Sequence, residues 1–208
     1  MTTTITRTPD TRTGALLPAL AGVGSLAAFA GTVVVFGDPM GGAATPAEAA
    51  AALTDSYGTV AAVLSGVYAL LAIAVCGMLA ARLGRTGETA SVRLIPLLGA
   101  GHVLLLTAAF TAPAAAAAVG TLVFDGGVTP AGADAALLLM NVAHPMAAWV
   151  GAGFLIAVTI AAWTQFRVLA VISAVFALGL MLPPVGWAVT YLMAFWFAGV
   201  GIRLARRR

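Results

Sequence analysis

Residues 57–93 read YGTVAAVLSGVYALLAIAVCGMLAARLGRTGETASVR, and this stretch decides the fold. From Tyr57 to Ala81 no Asp, Glu, Lys or Arg interrupts the apolar run; Arg82, Arg85 and Arg93 then follow in quick succession. A helix needs roughly 20 apolar residues to cross the hydrocarbon core of a bilayer. The segment therefore reads as a membrane span followed by a basic turn. The pattern repeats in both directions. Ala15–Phe36, Leu94–Val119, Ala135–Trp163 and Pro184–Ile202 are likewise free of charge and long enough to cross. Val168–Leu182 is uncharged but has only 15 residues, so this span is expected to start near Gln165, with Arg167 reaching back to the headgroups. The chain is 62% hydrophobic and 8% charged, more apolar surface than a soluble fold can bury. The expectation is an all-α polytopic membrane protein: a six-helix transmembrane domain over 15–204, between a tail at 1–14 and a basic tail at 205–208.

All ten cationic residues are arginines, and their positions orient the spans. Arg7 and Arg12 precede the first, Arg82, Arg85 and Arg93 flank the second loop, and Arg167 lies in the fourth. Arg203, Arg206, Arg207 and Arg208 close the chain. The first and third loops carry Asp38, Glu48, Asp55, Asp125 and Asp134 and no cation. The positive-inside rule then places both termini in the cytoplasm of a cell bounded by its plasma membrane. The net charge of +3 reflects this topology and not nucleic-acid binding. The partners implied are the bilayer, anionic headgroups at the C-terminal arginines, a lipophilic small molecule, or membrane partner subunits. Ala28-Phe29-Ala30 resembles a signal cleavage site, but the apolar run continues through Phe36, so the first segment reads as a retained span. The lack of Lys beside abundant Ala, Gly and Arg points to a GC-rich bacterial genome.

The first and third loops share a plan. Each has a Gly-rich turn, then Thr45-Pro46-Ala47 or Thr129-Pro130-Ala131, then an Ala-rich helix start. Thr caps a helix, Pro suits its first position, and Glu48 completes a capping box with Thr45. Spans one–two and three–four read as a parallel hairpin repeat, or as two loops using ordinary helix-start chemistry. A short helix over Ala47–Leu53 is expected. Pro183-Pro184 sets a tight hairpin between the last two spans. Small residues at four-residue spacing, such as Gly24 and Ala28, Ala27 and Gly31, or Ala143, Ala147 and Gly151, suit close helix packing.

No span carries a formal charge, which speaks against carboxylate-coupled carriers and voltage sensors. There is no Walker Gly-Lys pair, no His-Glu-x-x-His and no Lys for retinal. The single cysteine, Cys76, excludes an internal disulfide framework. What remains is a small polar set: Tyr68, His102, Asn141, His144 and Tyr191. Both histidines come out roughly 13–15 Å from their respective surfaces at 1.5 Å per residue, near the midplane. The five residues form a candidate ligand pocket. Four readings stay open: inter-helix hydrogen bonds, a ligand pocket, a metal or haem pair, and a nucleophile pairing Ser65 with a histidine. No cofactor is indicated.

The acidic loop Asp38–Asp55 and the Arg82–Arg85 turn carry a resemblance, together with a C-terminal stretch. That stretch runs Phe166-Arg167-Val168-Leu169-Ala170, then Leu182-Pro183-Pro184-Val185-Gly186-Trp187-Ala188, Phe195-Trp196 and the closing arginines. In these the chain resembles the uncharacterised six-span integral membrane proteins of actinobacterial type. Where such proteins often have Pro-Arg-Trp-Leu, this chain has Gln165-Phe166-Arg167-Val168. The resemblance implies a fold and a location and transfers no catalytic residue. Two functional classes follow: a small-lipophile binding or transport module or complex subunit, and an intramembrane enzyme acting on an isoprenoid or quinone. Membrane-bound terpene cyclases are similar in size and span number. On that second reading the proton would come from Asp55 or Asp134; the preferred reading of Asp134 is a carboxylate favoured by a helix N-terminal dipole.

Overall fold

The computed structural model describes residues 13–36, 45–54, 58–87, 89–122 and 127–206. The described residues are almost wholly helical, without strands. The order is α1 (Thr13–Phe36), α2 (Pro46–Thr54), α3 (Gly58–Leu83), a single 3₁₀ turn (Gly84–Thr86), α4 (Ala90–Leu122), α5 (Pro130–Ala162), α6 (Arg167–Met181) and α7 (Pro183–Arg206). Five of these, α1, α3, α4, α5 and α7, are long and apolar enough to cross a membrane.

α6 is the exception. It begins at Arg167 and not near Gln165, because residues 163–165 form a turn. The amide of Phe166 still donates to the Ala162 carbonyl at 2.8 Å, but its own φ of −137° and ψ of 55° leave the helical region, so α6 starts only after it. Fifteen residues rise about 22 Å, short of a ~30 Å hydrocarbon core. α4 and α5 depart the other way. Each has 33 residues, or about 50 Å, and so outruns the apolar run that announced it.

The five long helices and α6 form a closed ring. α1 packs on α3, α3 on α4, α4 on α5, α5 on α6 and α6 on α7, and α7 returns to α1. The return is made by glycine. A methyl group added at Gly201 would collide with the Pro18 carbonyl and lie 2.9 Å from the Gly22 Cα; one at Gly22 would lie 2.7 Å from the Phe197 carbonyl. Without side chains there, the two backbones can touch, which in lipid is a main source of helix affinity. Outward, Val34, Leu70, Leu97, Leu138, Ile160 and Leu178 stand exposed around the perimeter. Such a surface is stable only against other apolar matter, here the bilayer.

The two Thr-Pro starts both cap helices. Thr45 and Glu48 exchange the reciprocal bonds of a capping box at 3.1 and 3.3 Å, and the Thr129 hydroxyl accepts from the Gly132 amide at 3.1 Å. They lead to different structures. The first opens the nine-residue α2, which covers the expected Ala47–Leu53 and packs Ala49, Ala50 and Leu53 against α4 and α5. The second runs unbroken into α5. α6 and α7 meet in a turn as tight as Pro183-Pro184 implies, with only Leu182 between them. The Gly-rich half of the first loop, residues 123–126 of the third, and the arginines 7, 12, 207 and 208 lie outside the described residues.

Candidate functional site

Three prolines prepare a gap at the end of the ring away from Arg82, Arg203 and Arg206. Pro113 lies inside α4, Pro145 lies inside α5, and Pro183 opens α7. A proline inside a helix removes one intrahelical hydrogen bond and crowds the preceding turn, so the helix bends or loosens there. All three prolines line one cavity of about 730 Å³. Its walls are apolar and aromatic, with Phe110, Met140, Trp149, Trp187 and Tyr191 among them, and Asn141 and His144 supply the polar side chains.

His144 is half-buried in the wall. Its ring sits 5.9 Å from Tyr191 and 6.4 Å from Phe110, centroid to centroid. Trp187 extends the group at 5.1 Å from Tyr191. The imidazole also lies within hydrogen-bonding reach of the Trp187 backbone, while its Nε2 is shielded from solvent and has no partner. A buried ring nitrogen without a partner is costly, and a turn of the ring toward the cavity would let a ligand atom relieve that cost. Asn141 turns back along its own helix, donating from Nδ2 to the Leu137 carbonyl at 2.9 Å. Pro145 has no amide hydrogen to return to the Asn141 carbonyl, which leaves that oxygen without its helical donor.

Of the five residues expected to share a pocket, the structure brings together Asn141, His144 and Tyr191. Tyr68 and His102 belong elsewhere. Both are packed into the core, at 2% and 0% exposure, and neither lines the cavity. Phe29 stands between Tyr68 and the cavity rings, 5.2 Å from Tyr68, 5.8 Å from Tyr191 and 5.6 Å from Phe110. His102 faces α5, with Nδ1 2.8 Å from the Ala147 carbonyl. A carbonyl only accepts, so Nδ1 carries the proton and Nε2 is left as a buried acceptor without a partner. Gly151 makes the contact sterically feasible: a methyl group there would lie 2.6 Å from Nδ1. The two histidines are thus on adjacent helices, as expected, yet only His144 meets the cavity.

The other expectations resolve in similar detail. Ser65 approaches no histidine; its hydroxyl donates to Thr32 on α1 at 3.4 Å, and Thr32 donates to the Ala28 carbonyl at 3.0 Å. That chain of hydroxyls is an inter-helix tie. Cys76 is a free, buried thiol fitted against Gly99, where a methyl group would lie 2.6 Å from Sγ. Among the described residues no three His, Cys, Asp or Glu side chains come together as metal ligands. Asp134 is exposed and does not line the cavity, and it falls past the first turn of α5, where the dipole is weaker than expected for an N-terminal carboxylate. Asp55 lies outside the described residues. Phe110, Met140, Trp149 and Trp187 were missed by the sequence reading; the usable signal was the three prolines, not the rings. Compared with protein-family models, curated proteins and solved structures, the chain matches none of them.

Proposed function

We propose that this protein binds a small lipophilic molecule within the membrane, as a binding or transport module or as a subunit of a membrane complex. The reading takes the chain as six spans with α6 as the short one, both termini cytoplasmic, in the plasma membrane, on the plan of the six-span actinobacterial proteins. The arginine distribution supports that orientation, and it turns the cavity toward the outer leaflet. The single observation that carries the function is the cavity. At about 730 Å³ it falls within the range of small-molecule sites, roughly 300–1,000 Å³. Its make-up suits a largely apolar ligand with one hydrogen-bonding group. The rings of Phe110, Trp187 and Tyr191 offer flat contact, and a turn of the His144 ring, whose Nε2 is shielded at rest, would supply the polar contact.

Trp149 and Trp187 in the wall provide a direct test. Titrating detergent-purified protein with lipophiles of graded size should quench or shift tryptophan emission saturably. Ala148→Leu, which adds bulk to the cavity wall, should abolish saturation. Emission that responds linearly to every lipophile, and identically in the Ala148→Leu variant, would mean partition into micelles and no site.

A further inference from the structure

A second, separate recess lies at the opposite end of the bundle. α6 and α7 diverge there into a groove of about 500 Å³, floored by Trp196 and Phe176 and open beside Gly199. Trp196 is buried at 5% exposure, and its indole N–H donates to the Ser173 hydroxyl on α6 at 3.2 Å, which fixes the floor. Ile172 and Phe195 stand exposed along the groove, which continues to Arg203 and Arg206. Arg203 also lines a small neighbouring recess with Arg82 and Phe166, its guanidinium carbon 5.9 Å from the Phe166 ring centre.

Among the described residues these arginines have no counter-charge. No acidic side chain among the described residues pairs with Arg82, Arg203 or Arg206, and the Nε of Arg203 is shielded from solvent without a hydrogen-bond partner. Arg203 and Arg206 both line the groove, and a phosphate oxygen suits the terminal nitrogens of a guanidinium fork. An apolar groove that ends on uncompensated arginines matches one molecule in shape and charge. We infer that the α6–α7 groove seats an anionic phospholipid of the adjacent leaflet, one acyl chain along Trp196 and Gly199 and the phosphate between Arg203, Arg206 and Arg82. The short α6 fits this placement, because a lipid beside it covers apolar surface of α7 that a longer helix would cover.

Native mass spectrometry of the intact protein, titrated with phosphatidylglycerol and separately with phosphatidylcholine, tests the inference. The wild type should retain phosphatidylglycerol in one saturable adduct about tenfold more strongly than phosphatidylcholine. Arg203→Gln combined with Arg206→Gln should remove that preference while leaving phosphatidylcholine adducts unchanged. Gly199→Leu is the second arm. A methyl group at Gly199 meets nothing within 4 Å, so the fold tolerates the substitution while the groove fills. It should weaken phosphatidylglycerol retention at least about fivefold with every arginine in place. Equal retention of the two lipids, or a preference that survives the double arginine variant, would overturn the site. A preference that survives Gly199→Leu would show headgroup attraction alone and would overturn the seated lipid.

Discussion

His102 and His144 lie at similar depth on neighbouring helices, yet they live in opposite kinds of structure. Around His102 the chain uses small residues. Ala147 offers its carbonyl, Gly151 leaves room for the ring, and Gly99 does the same for Cys76 one turn away along α4. Around His144 the chain uses prolines, and Pro113, Pro145 and Pro183 open a cavity ringed by aromatic side chains. Glycine lets the backbones close around one ring, while prolines line the space beside the other. One histidine is consequently a tie between helices and the other is a wall residue facing a space.

The contrast breaks most visibly at Gly151. Gly151→Leu forces a side chain into the His102 ring, and overpacking of this kind costs about 3 kcal/mol. Unfolding in mixed micelles of rising dodecyl sulfate fraction should show the loss, and wild-type stability there would mean that the His102 contact is not tight. His102→Ala comes next. It deletes a fully buried ring and its 2.8 Å bond to Ala147, for a loss of about 2 kcal/mol in the same assay. His144→Ala should be the mildest, at about 1 kcal/mol or less, because the side chain borders open space and loses only its reach to the Trp187 backbone. Its effect should fall on ligand affinity instead, with a loss of about tenfold for one hydrogen bond. If His144→Ala destabilised as much as His102→Ala, the two histidines would be playing the same structural part.

Much of this architecture can be read from residues. Uncharged runs mark the helices because each apolar residue on a helix perimeter is stabilised by lipid. Thr45 with Glu48 announces α2 because the capping box is local chemistry that needs no tertiary partner. The start of α6 falls two residues after Gln165, because the break is set by the non-helical φ and ψ of Phe166, which no residue type at 163–165 announces. The site was half legible. Depth along a helix follows from counting, so His102 and His144 could be placed at one level. Facing does not follow, since it depends on how α4, α5 and α7 rotate and splay about their prolines and glycines. Hence Tyr68 and His102 were grouped with residues from which Phe29 and the packed face of α5 separate them, and Trp187 and Phe110 went unnoticed.

The central claim is that the proline-lined space holds a small lipophile. Gentle purification followed by native mass spectrometry and organic extraction addresses it most directly, with wild type and Ala148→Leu run side by side. A single extractable apolar species, near one per protein in the wild type and lost in Ala148→Leu while the arginine-bound phospholipid stays, is the result the account predicts. An empty wild-type protein that takes up no lipophile on titration, or equal extracts from both proteins, would contradict it.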